Sequence, residues 1–195
     1  AVEPSFDLDW MRFRGSFLYA SGDSDPYDDV EEGFDAIFEN PQFAGADTSY
    51  WVRQTIPFAG GGRAISINGR NGVLNTLRSS KEEGQSNFNN PGTILLGVGA
   101  DFDLTPELKV VGNLNHIWFD DTSVVQVLRN EGSIPTDLGF DVSVGAVWPP
   151  FMTQNVVLRG SAAMFEPGDG FGDLFTDSRR DDRYYSVLLN ATLSF

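Results

Sequence analysis

The chain of 195 residues has no cysteine, which excludes disulfides, thiolate metal sites and thiol catalysis and leaves the compartment open. No run of eighteen apolar residues occurs, so the sequence offers no membrane-spanning helix. A positively charged start followed by an apolar stretch is also missing, and an export signal is expected to be absent or already removed. Histidine occurs once, at His116, so a Ser–His–Asp arrangement has a single candidate base. Basic residues are scarce, 13 against 28 acidic ones, for a formal charge of −15. Nothing in that balance offsets phosphate repulsion, and no nucleic-acid partner is expected.

Present instead are 16 Phe, 21 Gly and a recurrent alternation of apolar with polar residues. The final stretch, "YYSVLLNATLSF", places Tyr185, Val187, Leu189, Ala191, Leu193 and Phe195 on one phase and Ser186, Asn190, Thr192 and Ser194 on the other. A period of two means a strand with one face in an apolar and one in a wet environment. The same pattern sets Val156, Leu158, Ala162 and Met164 against Arg159, Ser161 and Ala163. It sets Leu138, Phe140, Val142, Val144, Ala146 and Trp148 against Asp137, Gly139, Asp141, Ser143 and Gly145. Leu108, Val110, Leu114 and Trp118 oppose Lys109, Asn113 and Asn115, and Ile94, Leu96, Val98, Ala100, Phe102 and Leu104 oppose Thr93, Gly97, Gly99, Asp101 and Asp103. Consecutive alternating segments of about ten residues have the length and pattern of membrane β-strands.

The connections are sorted. Short turns follow Leu104 and Trp148, whereas 121–136 and 166–182 are longer, polar and acid-rich. Short turns on one side and long loops on the other describe an outer-membrane barrel with its turns in the periplasm. Trp118, Phe119, Trp148, Phe165, Tyr185 and Phe195, near strand ends, fit interfacial girdles. Further upstream, Met11, Phe13, Phe17 and Tyr19 alternate with Arg12, Arg14 and Ser16. A long segment, 22–90, follows as an extracellular or inward-folded stretch, within which 49–58 and 62–70 suggest a hairpin. Those pieces are short, and Pro57 lacks the donor a central strand needs. Counting them gives eight strands and discounting them gives six, fewer than the smallest usual barrel. The expectation is an all-β, antiparallel transmembrane barrel with about six to eight strands in this chain, either complete or the C-terminal part of a larger one.

The stretches "ASGDSDP", "FDAIFENPQFAG", "SYWVRQTIP", "LRSSKEEGQSNFNNPG", "GADFDLTPELK" and "PGDGFGDLF" resemble, in order, the C-terminal end of alginate-export-like outer-membrane barrels. That resemblance implies a larger porin-like barrel whose preceding strands lie outside this chain, and diffusion or export of a solute, an anionic polysaccharide for the name-giving member. The terminal strand likewise looks like the assembly signal read by the barrel-insertion machinery, with Tyr185, Leu189, Leu193 and Phe195 in its places.

Arg12, Arg14, Lys109 and Arg159 fall on the polar phase of their strands, as do Asp101, Asp103 and Asp141. Charges in a pore wall set ion selectivity, and arginine binds carboxylates through paired donors. The plainer reading is that these cations and carboxylates neutralise one another across the wall. Acidic loops offer candidate calcium ligands, Asp23, Asp25, Asp28 and Asp29 or Asp169, Asp173 and Asp177; a solvated acidic surface is the favoured reading of them. The first run is not an EF-hand, because Pro26 and Tyr27 interrupt the ligand spacing. His116 shares the apolar phase of Leu114 and Trp118 and so reads as interfacial, not as a catalytic base. "GGGR" at 60–63 lacks the Lys and Ser/Thr of a phosphate loop. No enzyme is expected. The functional expectation is an outer-membrane porin or export channel passing a small or anionic solute; the alternative is a scaffold or sleeve for a partner. Expected partners are the lipid bilayer with its outer-leaflet lipids, the assembly machinery, and a partner protein or the missing N-terminal strands.

Overall fold

The computed structural model describes residues 1–25, 27, 30, 32–34, 43–45, 48–49, 55–57, 64–66, 91–150, 155–173 and 183–194, with 55–57 and 64–66 as backbone. In chain order the elements are β1 (Ser5–Leu8), β2 (Met11–Ala20), β3 (Thr55–Pro57), β4 (Ala64–Ser66), β5 (Thr93–Asp103), β6 (Lys109–Trp118), α1 (Ser123–Arg129), β7 (Asp137–Trp148), β8 (Val156–Pro167), α2 (Asp169–Gly172) and β9 (Tyr184–Leu193). Seven strands form one sheet in the order β1-β2-β5-β6-β7-β8-β9. Each neighbouring pair is antiparallel. The sheet is open, with β1 and β9 at its edges. No helix of the described residues is long and apolar enough to cross a membrane.

The strand number comes from an element that the alternation did not suggest. β1 doubles back on β2 through Asp9 and Trp10, pairing Asp7 with Arg12 and Phe6 with Phe13. The extended lead-in adds a Val2–Phe17 bridge. The proposed hairpin at 49–70 contributes nothing to the large sheet among the described residues: β3 and β4 are three residues each and pair with one another.

Antiparallel partners share a face, so the register builds rows across the whole sheet. One face carries Phe13, Ala100, Gly112, Val144, Ala162 and Val187 in a single row. The row beside it runs through Val98, Leu114, Val142, Met164 and Tyr185. This outer face is predominantly apolar, interrupted near the long connections by His116, Asp137 and Glu166, and Phe17, Leu96, Val98, Val144, Val187 and Leu189 are all exposed on it. The inner face is graded along the strands. Near the turns at 9–10 and 104–108 it is charged; in the middle it is polar; near the long connections it holds a core of Leu18, Leu95, Ile117, Leu138 and Phe165.

That core is covered by the connections themselves. Val124 and Val125 of α1, Ile134, and Phe171 of α2 are buried against the strands, and Phe171 meets Phe165 edge-on at 5.1 Å. The loops 121–136 and 166–182, polar by composition, therefore contribute apolar plugs. Phe119 and Phe165 belong to this core, at 1% and 0% exposure, and not to an interfacial girdle as their positions near strand ends suggest.

Two side chains depart from their expected faces, Leu138 and Asp137. Leu138 is 1% exposed in the inner core, although alternation from Phe140 puts it outside. The ladder pairs Ile117 with Gly139 and Trp118 with Asp137, leaving Leu138 as the extra residue of a β-bulge. Gly139 makes this possible at φ +119, and a Cβ there would stand 2.1 Å from the Glu166 carbonyl oxygen. The bulge turns Leu138 inward and Asp137 outward. Gly139→Ala is therefore expected to cost about 1–3 kcal/mol or more, read as a lowered unfolding midpoint by tryptophan fluorescence; an unchanged midpoint would contradict the bulge.

Candidate functional site

The polar middle of the inner face consists of two rows. Arg14, Gly99, Asn113, Ser143, Ala163 and Ser186 form one, and Ser16, Gly97, Asn115, Asp141, Phe165 and Tyr184 the next. Gly97 leaves room for the Asn115 side chain, whose Oδ1 would stand 2.1 Å from a Cβ at this position. The alternation thus places amides and hydroxyls inward, and small residues open a groove between them.

Residues 43–45 and 48–49, from the long 22–90 segment, lie in that groove. Asn115 Nδ2 donates to the Ala44 carbonyl at 3.0 Å, and Asn113 Nδ2 donates to Thr48 Oγ1 at 3.1 Å. Ser49 Oγ lies 3.2 Å from Ser143 Oγ and donates to the Ala44 carbonyl at 3.0 Å. The Ala44 amide donates to Glu3 Oε2 at 2.9 Å, which also accepts Ser16 Oγ at 2.7 Å. Ala44 and Ser49 are 1% and 0% exposed. A Cβ on Gly145 would touch Thr48 Cγ2 at 2.3 Å, so glycine there admits the segment. No periodicity in the sequence announces this inward strap; its short polar residues gain meaning only beside the amides of β6.

Beside the strap lies an open cleft of about 330 Å³ lined by Glu3, Arg12, Arg14, Phe43, Thr48, Asp101, Val111 and Val147. Of the charged residues singled out above, the structure brings three together. Arg14 donates to Asp101 Oδ1 from Nη2 at 2.8 Å and from Nε at 3.2 Å, and to Asn113 Oδ1 at 2.9 Å. Lys109 Nζ stands 3.1 Å from Asp101 Oδ2. Arg14 Nη1 is also 3.8 Å from Glu3. Arg12 instead pairs with Asp7 of β1, its Nη2 3.2 Å from Oδ2. Asp103 stands opposite Lys109 in the ladder but is exposed. Asp141 is fully buried in the Asn115 row. Arg159 is exposed toward the turn end, between Val147 and Asn190 in register. Sequence reasoning missed Glu3 and Asp7, because β1 is too short to announce itself.

Among the described residues, no group of three or more acidic or histidine side chains converges to hold a metal ion. Asp23 is buried, and its Oδ1 accepts the Asp25 amide at 3.3 Å; Asp25 Oδ1 accepts the Tyr27 amide at 3.1 Å. Asp169 opens α2 and Asp173 ends it. Asp28, Asp29 and Asp177 lie outside the described residues. His116 is on the outer face, 2.7 Å from Asp137, with ring centroids 3.9 Å from Phe140 and 3.8 Å from Trp118. The bulge at Leu138 is what delivers Asp137 to it. Tyr185, Leu189 and Leu193 share the outer face at 68%, 82% and 67% exposure, and Phe195 lies outside the described residues.

No protein-family model, curated protein or solved structure matches the chain.

The absence of native cysteine makes the strap testable. Ser49→Cys with Ser143→Cys is expected to form an intramolecular disulfide, seen as a reducible mobility shift. Adding Gly145→Val should reduce its yield severalfold by displacing Thr48. Equal crosslinking in both backgrounds would contradict the packing.

Proposed function

We propose that the seven-stranded sheet is one wall of an antiparallel β-barrel in the bacterial outer membrane, and that the barrel is a passive channel for a small or anionic solute. The observation that carries this reading is the division of faces: predominantly apolar and exposed outside, and inside charged and polar from the turns to mid-strand, with an apolar core only near the long connections. Burying one Val, Leu or Phe is worth about 1.5–3 kcal/mol. In water the outer rows forgo that gain at every such side chain, whereas lipid supplies it. Soluble monomers rarely leave so continuous an apolar face uncovered. The sorted connections, tight at 9–10 and 104–108 and long on the other side, support the same orientation.

Strand direction sets a condition on closure. Six successive antiparallel pairings leave β1 and β9 running the same way, so they cannot pair antiparallel with each other. Closing the barrel in that manner takes an odd number of further strands, which we assign to a preceding part of the same polypeptide or to a partner chain. In such a barrel the strap residues 43–45 and 48–49 narrow the lumen. The scaffold alternative draws on one observation, that α1, α2 and the strap cover part of the inner face.

Planar-bilayer recording on the full-length gene product separates the two. The channel reading predicts ohmic conductance that increases when residues 43–49 are replaced by a short Gly/Ser linker. Arg12→Glu should lower anion preference, since this residue lines the cleft and its side chain is 49% exposed. A folded protein that conducts no ion and co-purifies with a tightly bound partner would establish the scaffold instead.

A further inference from the structure

We infer that Asp101 tunes the charge preference of this wall by masking Arg14 and Lys109 beside the exposed Arg12; the inference rests on the channel reading above. Asp101 is one carboxylate held between two cations. Its Oδ1 takes Arg14 and its Oδ2 takes Lys109 at 3.1 Å. The three groups differ in access: the Asp101 and Arg14 side chains are 13% and 11% exposed, and Lys109 is 43% exposed. Of the two cations that Asp101 holds, Lys109 is therefore the one that a passing solute meets, and Asp101 is the charge that masks it. Glu3, at 3.8 Å from Arg14 Nη1, is already committed to Ser16 and the Ala44 amide.

A compensated pair presents a dipole whose field fades within the cleft, whereas an uncompensated charge acts over a Debye length of about 8–10 Å. Removing the Asp101 charge exposes two cations at one point. Removing the Lys109 charge frees one oxygen of a carboxylate that Arg14 holds in place. The two substitutions have opposite electrostatic signs, and no general loosening of the wall reproduces that.

The test is the reversal potential of the full-length protein under a potassium chloride gradient. Asp101→Asn keeps the size and an oxygen for Arg14, and should shift the reversal potential toward the chloride equilibrium value. Lys109→Gln should shift it toward the potassium value, and the double variant should return close to wild type. Shifts of the same sign, or none, in variants that conduct like wild type would overturn the inference and leave the channel reading intact. A folded wild-type protein that passes no current would overturn the channel reading, and this inference with it.

Discussion

The structure depends on the register of its hydrogen-bonded ladder. Because antiparallel partners share a face, each strand's alternation becomes a property of the whole sheet once the register is fixed. A slip by one residue in β6 would place Asn113 and Asn115 among Val98, Val142 and Val144, and would bring Leu114 into the polar groove. Ten residues of continuous pairing between β2 and β5, and between β8 and β9, hold against that slip. The single irregularity, at Leu138, is confined to the end of a strand. There it supplies the inner core with a leucine and gives His116 a carboxylate.

The inner face is a graded surface. At its loop end, apolar side chains from α1 and α2 close over the strands, and at its turn end charges stand in pairs. Between them the amides of Asn113 and Asn115 offer donors that a sheet's own backbone cannot supply, and the strap occupies them. The strap's buried Ala44 and Ser49 satisfy polar groups that would otherwise be stranded on an enclosed surface. Its attachment through Glu3 ties it to the lead-in of β1, at the edge of the sheet.

The long strands were legible from the sequence because two-residue alternation over ten residues has no competing explanation. The ends of β5, β6, β7, β8 and β9 fall within a few residues of the segments read from the pattern. β1 was not legible, since four residues give only two repeats and the turn hangs on Asp9 at φ 51. Nor was α1, whose Val124 and Val125 sit in a stretch that reads as loop. For the site, parity placed Arg14, Lys109 and Asp101 on one face. Their convergence is a matter of diagonal neighbours: Arg12 and Lys109 flank the Asp101 and Asp103 positions in the ladder, and Arg14 reaches Asp101 from one row away. A single strand carries no information about that offset.

All of this has functional meaning only if the apolar face meets lipid. Val142 and Ser143 are neighbours on β7 with opposite exposures, 39% and 5%. The most direct measurement attaches an environment-sensitive fluorophore to a single cysteine, Val142→Cys or Ser143→Cys, in the full-length protein reconstituted in vesicles. The membrane-wall account predicts that the Val142 label is quenched by brominated lipid and shielded from aqueous iodide, and that the Ser143 label escapes lipid quenching. Iodide quenching of the Val142 label without lipid quenching would contradict it.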